Sequence, residues 1–217
     1  MSKQPSIVLV GPTGSGKSPL GNHLEAVGLW GRRSVHFDFG FRLRKIREAG
    51  ISIPSLTPEE RKVVNRVLES GALLEDREFP IALKIFQAFL TEKSIAKGDL
   101  VILNGLPRHP GQAVGLDPFV RIEAVAVLEC TANTIFRRIA SDAGGDRDGR
   151  MDDSAESIAR KLSLFLERTL PLLDHYRNLG VPVFRVPVGV STTPQDMARK
   201  LESVPGMVPG TGTVPGM

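Results

Sequence analysis

Apolar residues along the chain fall into two periods. Short apolar runs closed by glycine, proline or polar residues occur at Ile7-Val8-Leu9-Val10, over Asp99 to Gly105, over Ala124 to Cys130 and over Pro182 to Pro187. Runs of that length between turn residues predict buried strands. Ser34-Val35-His36-Phe37-Asp38-Phe39 alternates polar with apolar and predicts a second strand or its exit into a loop. Helical stretches are predicted over Pro19 to Val27, Phe41 to Ala49, Pro58 to about Ser70, Glu78 to Lys97, Asn133 to Ala140 and Ser154 to Arg177. Thr57-Pro58-Glu59-Glu60 has the form of a capping box with proline at the first helical position. Ile51 to Pro58, broken by Pro54 and Pro58, is a connection. Strands alternating with helices predict an α/β fold, a parallel sheet of about five strands covered on both faces, with ligands outside the carboxyl ends of the strands. The helices between residues 41 and 97 are too many for one crossover, so that stretch contains a separate flap. Residues 204–217 repeat Val-Pro-Gly three times, a composition that predicts a flexible tail after a domain over 1–203.

Directly after the first apolar run, Gly11-Pro12-Thr13-Gly14-Ser15-Gly16-Lys17-Ser18 fills the pattern G-x-x-x-x-G-K-[ST] at every fixed position. A buried strand feeding a glycine loop that opens a helix aims backbone N–H groups and the positive helix end at one point, which suits a polyphosphate. Gly11, Thr13, Gly14, Ser15 and Gly16 would cradle it, Lys17 would reach its β and γ phosphates, and the Ser18 hydroxyl would take a place on Mg²⁺. Pro19 is compatible with a first helical turn, where its missing N–H has no partner to lose.

Bulk composition narrows the classes. The 217 residues are 41% hydrophobic, enough for one α/β core with an insertion. No apolar run approaches the roughly 18 residues of a membrane span, and the amino terminus lacks the regions of a signal peptide. A single cysteine, Cys130, allows no internal disulfide and predicts a cytoplasmic protein. The +4 net charge is compatible with nucleic acid, yet aromatics are 6% of the chain, and arginines converging on phosphorylated small molecules explain the charge equally well. His36, His109 and His175 lack metal-ligand spacing.

Three further stretches resemble the adenylate kinase family of nucleoside monophosphate kinases. Asn104-Gly105-Leu106-Pro107-Arg108 with Gln112-Ala113 is similar to D-G-F-P-R-x-x-x-Q-A. Gly149-Arg150-Met151-Asp152-Asp153 is similar to G-R-x-D-D, and Thr169 to Tyr176 is similar to T-x-P-L-x-x-Y-Y. Gly40-Phe41-Arg42-Leu43-Arg44 is a weaker counterpart of G-D-x-L-R. The resemblance spans residues 5 to 200 and implies Mg²⁺-dependent transfer of a phosphoryl group from ATP to AMP or a related monophosphate, by a monomer that engages neither nucleic acid nor membrane. It implies that Arg44 and Arg108 hold the acceptor phosphate, that Gln112 reads its base, and that Phe39, Gly40, Leu74 and Gly105 line the acceptor site. Arg138 would lie over the ATP base, with Arg137 an equal candidate. Arg150 would close from a short zinc-free lid over 141–150, and Lys161 would stand where a second catalytic arginine is expected. On this scheme the core is 1–40, 98–140 and 151–203, with the acceptor flap over about 41–97.

The departures from the pattern are specific. Asn104 replaces an aspartate near the Mg²⁺ water shell and could reach the metal only through water. Phe41 replaces the aspartate of G-D-x-L-R, and Lys161 keeps the charge of arginine without its fork. Asp38 and Phe39 leave the acceptor base open, since a carboxylate at 38 could accept from guanine N1 and N2. A P-loop kinase for another acceptor, and a nucleotide-binding protein with weakened catalysis, are the competing readings.

Overall fold

The computed structural model describes residues 3–48, 50–145 and 154–204. Its centre is a five-stranded sheet of order β2-β3-β1-β4-β5, where β1 is Gln4–Val10, β2 Ser34–Asp38, β3 Leu100–Asn104, β4 Val120–Glu129 and β5 Val183–Pro187. Every strand pair is parallel, the arrangement expected when helices cover both faces. Alternation along β1 sorts its side chains: Val8 and Val10 join one buried cluster, Ile7 and Leu9 the other. The second cluster lies under α1 (Lys17–Val27) and α9 (Pro194–Glu202), through Leu20, Leu24, Met197 and Leu201.

The first cluster lies under α4 (Phe79–Glu92), which sets Phe86 and Phe89 against Phe37 of β2 at ring separations of 5.1 and 5.0 Å. That helix therefore covers the sheet. What stands over the strand ends is α2 (Phe39–Arg47), α3 (Pro58–Ser70) and the segment following it. The capping box read from Thr57 to Glu60 is present: Thr57 Oγ1 accepts from Glu60 N, and Glu60 accepts from Thr57 N.

Several boundaries differ from the sequence pattern. β4 starts at Val120, because Val120 to Ile122 pair with Gln4 to Ser6 before a register shift, leaving a half-exposed start that composition hides. α4 stops at Glu92, followed by Ser94 in a left-handed conformation. Two helices had no counterpart in the pattern: α5 (Pro110–Leu116), capped by His109, and α9, capped by Thr193. The long helix expected after Ser154 is α7 (Ala155–Leu164), a π turn over Phe165–Thr169, and α8 (Leu172–Asn178), interrupted at Pro171. The remaining helix, α6, is Ala132–Ala140. No described helix is long and apolar enough to cross a membrane. The expected tail beyond residue 204 lies outside the described residues.

Candidate functional site

The Gly11–Ser18 loop leaves β1 at the carboxyl edge of the sheet and enters α1 at Lys17. Gly14 and Gly16 hold φ of +77° and +95°, a left-handed backbone that a side chain would strain. The loop so formed turns the first N–H groups of α1 toward the cleft, the arrangement that attracts an anion. Lys17 curls back over the loop, its Nζ donating to Gly11 O at 2.6 Å and Pro12 O at 2.7 Å. Ser15 is fully buried beneath the loop, and its side chain does not line the cleft.

Facing the loop across one cleft are Phe39, Gly40 and Arg44 of α2, Leu74 after α3, and Asn104, Gly105, Arg108 and Gln112 from the end of β3 into α5. The sequence-predicted acceptor residues thus share a cleft with the phosphate loop. α2 divides its arginines. Arg42 is buried, forks onto Glu92 at 2.8 and 3.0 Å and lies 4.6 Å over the Phe89 ring, while Arg44 lines the cleft. Arg108 is half-buried, donates from Nε to Thr169 Oγ1 at 3.4 Å and meets no carboxylate among the described residues. Burial pulls its pKa below the ordinary guanidinium value.

Gln112 is buried, accepting from Arg108 N at 2.7 Å and donating to Leu74 O at 2.8 Å. Buried His109 also reaches Leu74 O, at 3.1 Å. The two side chains tie the segment after α3 to the loop carrying Arg108, and most of the Gln112 amide is engaged within the protein. Arg138, not the exposed Arg137, lines the cleft. Its guanidinium donates to Gly14 O at 3.2 Å and to Gly189, Val190 and Thr192 carbonyls at 2.8 to 3.0 Å, clamping the phosphate loop to the turn after β5. Lys161 lines the cleft, whereas Arg160 is exposed and lies against Gly71. Arg150, with Asp152, Asp153 and the lid from residue 146, lies outside the described residues.

No family model matches the chain. An adenylate kinase of Stenotrophomonas maltophilia (strain R551-3) is 32% identical over 206 residues, 92% of this chain and 99% of the relative. One from Prochlorococcus marinus (strain MIT 9303) is 32% identical over 180 residues, 81% and 86% of the two chains. One from Xanthomonas euvesicatoria pv. vesicatoria (strain 85-10) is 30% identical over 179 residues, 80% and 86%.

The chain belongs to the adenylate kinase family.

Within that family three of its departures, Asp38, Phe41 and Asn104, meet at one point. Asn104 is 4% exposed and in register with Asp38 on the neighbouring strand. Its Nδ2 lies 2.9 Å from Asp38 Oδ2, 3.1 Å from Ser18 Oγ and 3.4 Å from His36 Nε2. A carboxylate only accepts, so the amide presents its NH₂ to Asp38 and turns its oxygen away. The water-accepting role expected of Asn104 is therefore not the one its orientation serves. Asp38 in turn accepts from Phe41 N at 2.8 Å through Oδ1 and from Ser18 Oγ at 2.5 Å through Oδ2. That carboxylate faces the phosphate loop. Phe41 contributes its N–H and leaves its ring 47% exposed.

Behind Asn104, the His36 ring is buried, with Nδ1 2.9 Å from Asn22 Oδ1. Donation from Nδ1 leaves Nε2 to accept from Asn104, and burial lowers the imidazole pKa, keeping the ring neutral for that role. Room for the ring comes from Gly21, where a Cβ would meet ring atoms at 2.3 to 2.5 Å. Sequence reading did not assign parts to Thr169, His109 or the Asn22–His36 pair. Each acts across a sequence gap that no local pattern spans.

Proposed function

We infer that the protein is an ATP-dependent nucleoside monophosphate kinase that moves the γ-phosphoryl group of ATP onto AMP. The observation that carries this reading is the shared cleft, with the phosphate loop and Lys17 on one wall and Arg44 and Arg108 on the other. Phosphoryl transfer asks a protein mainly for alignment and charge neutralisation, so two phosphate sites face to face suffice without a protein nucleophile.

In this reading the loop N–H groups from Gly11 to Ser18 and the Lys17 ammonium hold the triphosphate. Arg138 fixes the loop beside the donor base. Arg44 and Arg108 fork onto the acceptor phosphate, whose oxygen attacks in line. Gln112 and Leu74 shape the acceptor base pocket with Phe39, Gly40 and Gly105. Lys161 stabilises charge on the group in flight, and Arg150 joins it from the lid. Closure of flap and lid expels water, which otherwise competes as acceptor.

Mg²⁺ belongs to the same proposal. A hydroxyl, Ser18 Oγ, with a carboxylate oxygen 2.5 Å away is a hard-oxygen set that fits the ion. When bound, Mg²⁺ would neutralise β and γ oxygens, with Ser18 and the Asn104 neighbourhood holding it. The commitment of Asp38 to Ser18 and Phe41 N favours AMP over GMP. A cytoplasmic monomer completes the proposal, and light scattering checks its mass.

The test is diphosphate formation from ATP and Mg²⁺ with AMP, GMP, CMP, UMP and dAMP in parallel. AMP is expected to react fastest. Turnover no higher than that of a Lys17→Ala control with every acceptor would overturn the reading.

A further inference from the structure

The family pattern places a carboxylate at the end of β3, and this chain has an amide there. A carboxylate stands one strand over instead. β2 and β3 pair in register, Asp38 opposite Asn104, so their side chains emerge together at the edge where the phosphate loop begins. Asp38 Oδ2 reaches the loop hydroxyl, Ser18 Oγ, at 2.5 Å. Its other contacts, Asn104 Nδ2 and Phe41 N, are neutral donors, and it forms no ion pair among the described residues.

That leaves a negative charge, half screened from solvent, on the wall of a pocket built for a polyphosphate. Two anions at short range in a low-dielectric cleft repel strongly unless a cation lies between them. We propose that Asp38 supplies the carboxylate of the metal site and that Asn104 is the positioning residue that aims it. The acidic group has moved from the end of β3 to the end of β2. The amide left behind donates to it, and His36 and Asn22 hold that amide from the rear. This rests on the kinase reading only in taking ATP as the ligand that brings the metal.

The readout is metal binding. Free Mn²⁺ is followed by electron paramagnetic resonance while it is titrated into the full chain with a non-hydrolysable ATP analogue, and analogue binding is measured separately in EDTA. Asp38→Asn is the first variant, because asparagine keeps the cap on Phe41 N. The expected result is at least tenfold weaker Mn²⁺ binding with analogue affinity in EDTA unchanged or improved. The second variant joins Asp38→Asn to Asn104→Asp, returning the carboxylate to β3, and is expected to recover Mn²⁺ affinity to within about threefold of the parent.

A change under twofold in Asp38→Asn would overturn the proposal. So would an equal loss of analogue binding in EDTA, since Asp38 would then shape the loop alone. Should Asp38→Asn fail to give a cooperative thermal transition, the exchanged pair decides, and its failure to bind Mn²⁺ counts against the proposal. Transfer to AMP by the parent is assayed independently. No transfer alongside an Asp38-dependent Mn²⁺ site would fault the kinase reading alone, and the reverse pattern would fault only the metal assignment.

Discussion

Burial without an acidic partner among the described residues separates Arg108 from Arg42, which forks onto Glu92, and from Arg168, which forks onto Glu75 at 2.8 and 3.1 Å. The latter two are spent within the protein, and the Glu75 carboxyl is held below its usual range by Arg168. Burial disfavours the charged form of Arg108, and a bound anion would offset that cost. Arg108→Met keeps the apolar stem and removes the charge. Its melting temperature is expected to equal or exceed that of the parent, while kcat/KM for AMP falls about a hundredfold, or about 2.7 kcal/mol at 1.36 per decade. Arg108→Lys should lose about tenfold, keeping charge without the fork. Steady-state kinetics and thermal melts on the same preparations check both. Position 21 gives a second residue-level outcome. Alanine there gains helix propensity of up to about 1 kcal/mol, but its Cβ would stand 2.3 Å from a ring atom of His36. Overpacking costs about 1–3 kcal/mol and wins. Gly21→Ala is expected to destabilise, and Gly21→Ala with His36→Ala to recover part of the loss, as coupling in a double-mutant cycle by urea unfolding. The sequence displayed Arg108 and Lys17 plainly, because motif spacing is local. It did not display that Asn104 donates to Asp38, since that bond joins positions 66 residues apart.

Elements are held at their ends as much as along their faces. α9 closes the second face of the sheet through buried Met197 and Leu201, and its start is a capping box in which Thr193 Oγ1 accepts from Asp196 N at 3.1 Å and Asp196 accepts from Thr193 N at 3.0 Å. Bonds from Thr193, then one from Arg199, lower the Asp196 pKa from 3.8 to about 2. The folded pKa lies below the unfolded one, so this contribution is complete above pH 3.8 and disappears as pH falls toward 2. Asp196→Asn is therefore expected to lose stability less steeply than the parent between about pH 4 and pH 2, read as the difference between their acid-unfolding curves. Thr193-Pro194-Gln195-Asp196 carries a helix-start signal, proline at the first helical position and an acceptor three residues on, but the segment is short and the sequence pattern does not predict it as a helix. α5 was not legible, because a histidine caps it and its seven residues are too few to show a period. The π turn at Phe165–Thr169 was hidden too; it presents Thr169 to Arg108, a requirement of the neighbouring loop and not of the helix itself.

At the scale of the whole molecule, the two proposed phosphate sites lie on segments tied together by Gln112 to Leu74 and Arg168 to Glu75 as well as by the shared buried cluster. Ligands that touch both walls should stabilise beyond either one. ATP at a hundred times its Kd adds about 2.7 kcal/mol, or on the order of 5–10 °C in a domain of this size. AMP added with a non-hydrolysable ATP analogue is expected to raise the melting temperature further in the parent and not in Arg108→Met, which differential scanning fluorimetry checks. The sequence by itself determined the phosphate loop, the alternation of strands and helices, and the arginines available to bind phosphate, because these depend on residue type and on periods that close within a turn or a strand. Tertiary structure decided which of those groups meet. The order β2-β3-β1 sets Asp38 beside Asn104 and both beside Ser18, and strand order is fixed by how the helical faces pack, a sum over distant contacts that no single stretch of the chain contains.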